Sequence, residues 1–380
     1  MTNAPNIADD GRADSLLASY ERAGHFRVRP AILQPAEPFL ALSGEDIRRR
    51  MYLVSDLAGR ELCLRPDLTI PAALDYLASD QIGKPASFCY LGPVFRQRGE
   101  SVGEFLQAGI ESFGRGDKAA ADAETLALGI ETTAHYGLAD PEVRMGDVGL
   151  FAALIAALGL PPAWTRRLTK DFNRKALLIH DLDRLTLAGT NQQPEYQGVL
   201  AALVNSDPKG ARALIADLLS IAGISTVGGR SVAEIADRFL EQAELGASAA
   251  LPEESRAVIE RFLAVAGDPD SAATALWNLA EAAGLDLGPA LDLFESRTGL
   301  IAARGIDTKR ISFATAFGRG LDYYTGFVFE LHDPLHRAEG QLVAGGRYDG
   351  LFARLGRTEP IPAVGLAAWI ERLALLGGER

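Results

Sequence analysis

Cysteine is almost absent from this chain, and that absence removes whole classes of function. Cys63 and Cys89 are the only two in 380 residues. They are too few for a disulfide framework or a thiolate metal centre, and their apolar surroundings read as those of buried thiols. Histidine is scarce as well, five in all. His332 and His336 have the i, i+4 spacing of a helical metal pair. Pro334 between them disfavours a helix and no third ligand stands nearby, so no metal is expected. Long apolar runs are missing too: the longest, around 149–162, is too short for a bilayer and ends in two prolines. The polar N-terminus, Met1 to Gly24, has no apolar segment of the kind a secretion signal needs. The expectation is a cytoplasmic protein with no membrane partner.

Positive charge is the fourth shortage. Against 50 Asp and Glu stand 38 Lys and Arg, a net charge of −12. That balance argues against the basic face that nucleic acid requires. No phosphate-cradling Gly-Lys-Ser/Thr occurs, and Gly318-x-Gly320 lacks the third glycine of a dinucleotide fingerprint. No cofactor is expected.

What remains is an ordinary globular composition, 48% hydrophobic and 23% charged, with length for one large core or two modest ones. The first roughly 15 residues are polar and aperiodic and read as disordered. A short helix is predicted over 14–23, followed by an extended segment over 28–33. Glu61–Pro66 reads as a strand stopped by proline, and a helix carrying Leu74 and Leu77 follows it. Ser87–Phe95 and Glu104–Phe113, joined by a short polar loop with glycine, form an antiparallel hairpin signal. A helix is predicted over 122–135. From 151 to 304 helical periodicity dominates, with stripes at Leu214, Leu218, Ile221 and at Val232, Ile235, Phe239. Strands return at 311–317, 325–331 and 341–344, and 363–375 reads as a closing helix.

The densest chemistry lies in Phe317–Phe327, where Arg319, three glycines and the pair Tyr323-Tyr324 run into an apolar strand. Glycines let backbone approach a ligand closely, and a guanidinium fork with two phenols suits a polar ligand. Alternatively Arg319 fixes the turn itself, through carbonyls or Asp322. Strand alternation puts Phe105, Gln107, Gly109 and Glu111 on one face, opposite Leu106, Ala108 and Ile110. That face either floors a polar pocket or meets solvent. On the second strand Phe327, Phe329 and Leu331 oppose Val328 and Glu330. Arg96, where the hairpin strand opens into its loop, either reaches an anion or forms a solvated pair with Arg98. The turn Gly345–Gly350 either brings Arg347 and Tyr348 to a rim or only reverses the chain.

Six segments together resemble the histidine branch of the class II aminoacyl-tRNA synthetases. They are Leu64–Thr69, Gly92–Arg96, Gln107–Glu111, Arg319–Gly326, Gly345–Gly350 and Val364–Leu373. They stand in the family's order and span nearly the whole chain. The resemblance implies an α+β fold, a class II synthetase-like core with an antiparallel sheet of six or more strands flanked by helices. Residues 1–150 and 305–380 would form the core and 151–304 a mainly helical insertion, with self-association as a dimer; the family's anticodon-binding domain, in contrast, is expected to be missing. It also implies a histidine pocket built from Asp67, Thr69, Arg96, Gln107, Glu111, Arg319, Tyr323 and Tyr324.

Departures from the family pattern cluster around the nucleotide. Gln97 and Arg98 follow Arg96 where the family has Arg-x-Glu, and the shorter loop carries Glu100 and Glu104. Added carboxylates oppose a triphosphate. Trp369 stands where a glycine makes room for adenine, and Gln34 where a glutamate is expected. This combination resembles the synthetase-like regulatory subunits of ATP phosphoribosyltransferases. It implies a non-catalytic chain that partners a short-form catalytic subunit at the first step of histidine biosynthesis, binds free histidine, relays its feedback inhibition and binds no tRNA. The alternative is a catalytic histidyl-tRNA synthetase-like enzyme that adenylates histidine.

Overall fold

The structure, a computed structural model, describes residues 11–43, 47–99, 103–187 and 251–377, with four single positions at 210, 213, 217 and 221. Two compact units are present, one joining Met1–Ala153 to Phe262–Arg380 and the other spanning Leu154–Arg261. The strands of the first half are β1 (Phe26–Arg27), β2 (Leu33–Pro35), β3 (Tyr52–Ser55), β4 (Glu61–Leu64), β5 (Ala86–Phe95), β6 (Glu104–Phe113) and β7 (Glu142–Asp147). Those of the second are β8 (Ala266–Gly267), β9 (Ile311–Ala314), β10 (Phe327–His332), β11 (Val343–Arg347) and β12 (Ala363–Trp369).

Nine strands form one sheet in the order β1-β5-β6-β12-β11-β10-β7-β9-β8, and β2-β4-β3 form a second, small sheet. The large sheet is antiparallel except for the pairs β1–β5 and β7–β9. The central strands read inward and outward as alternation demands. Phe329 and Leu331 pack on helix Lys118–His135, where a Cβ on Gly129 would lie 3.2 Å from the Phe329 ring. Alanines and that glycine let the helix lie close to the sheet. Helix Gly288–Ala303 packs beside it, and with helix Pro269–Ala283 it belongs to the first unit.

Under these helices lies a buried ionic network with no sequence signal. Asp122 pairs with Arg347 at 2.7 Å and with Arg297 at 3.3 Å, and Arg297 also reaches Asp147. Arg347 holds Asp349 at 2.9 Å, which takes Lys118 at 2.7 Å. The Gly345–Gly350 turn therefore sends Arg347 into the core rather than to a rim. In the second unit, helices Pro162–Asp171 and Lys175–Leu187 pack together, with Arg167 bridging Asp181 at 2.6 Å and Asp171 at 2.9 Å.

Several expectations need correction. Residues 363–369 form strand β12, and only Ile370–Ala374 is helical. Ala-Val-Gly-Leu-Ala-Ala-Trp is helical in composition, but its small residues fit between two strands, and tertiary packing overrides propensity. The first helix starts at Gly11 and buries Ala13, Leu16, Leu17 and Tyr20, so ordered structure begins before residue 15. Residues 1–10, Glu100, Leu214, Leu218 and the 232–239 stripe lie outside the described residues. Strand β7 adds to the expected strands, with Val143 and Met145 buried in alternation with Glu142 and Arg144.

Candidate functional site

Strands β6, β10, β11 and β12 floor a cavity of about 170 Å³. Seven of the eight expected pocket residues line it: Asp67, Thr69, Arg96, Gln107, Arg319, Tyr323 and Tyr324. The eighth, Glu111, is not among the lining residues; it stands on the same face of β6 as Gln107, against the lining residues Tyr348 and Gly365. Its Oε1 accepts a hydrogen bond from the Tyr90 hydroxyl at 2.9 Å and its Oε2 accepts from the Tyr348 hydroxyl. Burial pushes the Glu111 carboxyl up to about 7, although Tyr348, Thr69 and Tyr90 hydroxyls pull the other way. Gly365 of β12 faces it, where a Cβ would come 1.8 Å from Glu111 Oε2.

Asp67 ends the segment after β4, and its Oδ1 accepts from the Ile70 N–H at 3.1 Å at the start of helix Thr69–Leu77. Its Oδ2 is buried with no partner among the described residues, and so is Oε1 of Gln107. Burial raises the Asp67 carboxyl, with Arg96 opposing. Arg96 leaves the end of β5 as the hairpin reading required; its Nε donates to the Pro66 carbonyl at 2.7 Å and its guanidinium lies over the Phe105 ring. Burial brings it down to about 10, although the Asp67 charge opposes that. Arg319 enters from the glycine-rich loop, donating to the Tyr324 hydroxyl at 2.6 Å and to Glu330 at 3.3 Å, not to Asp322. Tyr323 and Tyr324 stand with ring centroids 4.9 Å apart.

Three charged or amide side chains line the cavity with no sequence expectation as pocket residues: Arg50, Glu330 and Gln341. Glu330 is legible as the polar position alternating with Phe329 and Leu331. The other two come from a turn and a loop, where periodicity gives no direction, while Tyr348 lines the cavity as one reading of its turn allowed.

Trp369, 6% exposed, closes one wall and packs with Leu68, Ala72, Tyr90, Val94, Phe105 and Ala344. The two arginines beside it have partners within the protein. Arg372 sits 5.4 Å from the Trp369 ring and donates to the Gln341 carbonyl at 2.5 Å. Arg98 stacks 3.7 Å above Phe105 and reaches Glu371 at 3.4 Å.

The arrangement can hold a small zwitterion. Two guanidiniums can answer a carboxylate, while the Asp67 carboxylate and the Gln107 amide can answer N–H donors.

The family model for histidyl-tRNA synthetase matches residues 10–229 and 210–373. An ATP phosphoribosyltransferase regulatory subunit of Mesorhizobium japonicum is 44% identical over 354 residues, 92% of this chain and 92% of the relative. One of Brucella canis is 42% identical over 356 residues, 93% of each chain. Among solved structures, an ATP phosphoribosyltransferase regulatory subunit/histidyl-tRNA synthetase from Bacillus halodurans superposes with a TM-score of 0.66 at 21% identity, covering 99% of this chain and 79% of the other. A histidyl-tRNA synthetase from Nostoc sp. gives 0.61 at 19% identity, covering 95% and 69%. At that identity the superpositions establish the class II histidyl-tRNA synthetase-like fold and no more. No helix among the described residues is long and apolar enough to cross a membrane.

Proposed function

The chain belongs to the histidyl-tRNA synthetase family and, within it, to the ATP phosphoribosyltransferase regulatory subunits, and from that premise we propose that it binds free histidine in the cavity and controls a short-form catalytic subunit. One observation carries the histidine reading. Asp67 and Gln107 line the same small space as Arg96 and Arg319, and each has a buried acceptor oxygen without a partner among the described residues. An unsatisfied buried acceptor costs about 1–3 kcal/mol, so a ligand that brings N–H donors to these two side chains and a carboxylate to the arginines is favoured there. The volume, about 170 Å³, is close to that of a roughly 150 Å³ cavity that takes up a single benzene. One ring-bearing amino acid fits that scale.

The chain carries out no synthetase chemistry in this reading. Trp369 fills wall space beside the cavity, and Arg98 and Arg372 are engaged within the protein. The protein works in the cytoplasm without tRNA, as a dimer within a hetero-oligomer with the catalytic subunit. Histidine inhibits by binding the inhibited arrangement better than the active one, and a coupling of about 1–3 kcal/mol suffices.

The test is phosphoribosyl-ATP formation by the short-form catalytic subunit of the same organism. Adding this chain should raise the activity, and adding histidine should then lower it. No change in either arm refutes the regulatory reading. The second reading, a histidine-adenylating enzyme, draws on Arg96 at the cavity and Arg372 beside it. It requires histidine-dependent ATP–pyrophosphate exchange, which the first reading forbids.

A further inference from the structure

Two residues that contact Arg319 directly or in series, Glu330 and His332, have no part in the roles above. The Nε–H of Arg319 donates to Glu330 Oε1 at 3.3 Å, and Nη1 donates to the Tyr324 hydroxyl at 2.6 Å. The second oxygen of Glu330, Oε2, meets His332 Nε2 at 3.1 Å. Glu330 and His332 are two apart on β10, so both side chains leave the same face of the sheet. Arg319 is 9% exposed and His332 5%. Glu330 lines the cavity, whereas His332 is not part of its wall.

A guanidinium carries five N–H donors in one plane. Anchoring Nε to Glu330 and Nη1 to Tyr324 fixes that plane at two edges, in a residue that lines the cavity. Glu330 can serve as an anchor only if its own carboxylate is held, and His332 holds the oxygen that Arg319 does not use. Burial raises the Glu330 carboxyl, but the His332 hydrogen bond and Arg319 outweigh it and keep the group below its ordinary range. Arg319 is likewise kept charged, since Tyr324 and Glu330 outweigh its burial.

We propose that Glu330 and His332 are positioning residues that set Arg319 to recognise the carboxylate of the bound amino acid. The assignment rests on the reading of the cavity as a histidine site and adds what selects an α-carboxylate there. Among the described residues the hydrogen bonds of Glu330 run to Arg319 and His332, so removing either residue should act chiefly on the carboxylate end of the ligand. Holding a guanidinium in one orientation lowers the entropy lost when it forms its fork with a carboxylate.

Calorimetric titration of the full chain with histidine and with histamine, which keeps the ring and amine but lacks the carboxylate, tests the idea. The wild type should prefer histidine. In Glu330→Ala that preference should fall about tenfold, the factor worth one charge-assisted hydrogen bond, with histamine affinity little changed. In His332→Ala it should fall about threefold, and His332→Gln, which keeps an N–H for Glu330, should restore it. If Glu330→Ala does not fold, Glu330→Gln carries the same expectation at about threefold, because the amide keeps volume and an acceptor while losing the charge.

Other outcomes overturn the proposal. A preference that rises would mean that Glu330 only competes with the ligand for Arg319 by its charge. Equal losses for both compounds would mean a merely structural role. If the wild type binds neither compound, the histidine reading itself fails and this assignment goes with it. If it binds both and the variants keep its preference, only this assignment fails.

Discussion

Replacing Glu111 by Gln should make the protein more stable above neutral pH and leave it nearly unchanged in mild acid. Glu111 is 1% exposed and its carboxyl holds a proton up to about 7, against 4.5 when unburied. Between those values the folded state binds more protons than the unfolded one, so stability falls as pH rises through the window. The protonated form's contribution is fully present below 4.5 and gone above about 7. At 1.36 kcal/mol per pH unit, the gap amounts to about 3 kcal/mol. Glutamine has nearly the same shape: its oxygen can accept from Tyr90 while its amide donates to the Tyr348 hydroxyl. The variant keeps the contacts and loses the titration. Urea unfolding of both proteins at pH 5, 6, 7 and 8 should show a stability difference that grows by about 3 kcal/mol in favour of the variant. A difference independent of pH would refute the burial argument for Glu111.

Two further changes probe the frame of the site. Arg347→Ala leaves Asp122 buried with Arg297 as its remaining cationic partner among the described residues and Asp349 with Lys118 alone, so it should cost about 3–5 kcal/mol. The loss, read by urea unfolding, should be strongly non-additive with Arg297→Ala, and simple additivity would count against a shared network. Gly365→Ala places a methyl 1.8 Å from Glu111 Oε2 and 2.6 Å from the Ile110 carbonyl oxygen. It should lower the thermal midpoint by well over ten degrees, and a midpoint within about two degrees of wild type would contradict the close packing of β6 and β12.

Much of the site was legible in the sequence because strand alternation gives direction. Gln107 and Glu111 share the predicted face of β6, although Glu111 does not line the cavity and instead accepts from two tyrosines. The hairpin β5–β6 was readable to within a residue from its apolar runs and glycine loop. The family motifs supplied what periodicity could not, namely that Asp67, Arg96 and Arg319 converge from three separate segments. Strand β12 was unreadable for a physical reason. Its alanines and glycine carry no strand preference, and only the space between β6 and β11 makes them a strand. The Asp122, Arg297 and Arg347 network was equally hidden, since charged residues in amphipathic elements look like surface until tertiary contacts bury them.

The place of β12 in the sheet has a kinetic consequence. It is the last strand along the chain, yet it stands fourth in the nine-strand order, between β6 and β11. The hairpins β5–β6 and β10–β11 can form from local contacts, but each keeps an unpaired edge until β12 arrives between them. Joining them requires closure over the whole second unit, a non-local step that slows folding. The two open edges meanwhile are templates for pairing with another chain, so newly made protein is most prone to aggregate just before this strand inserts.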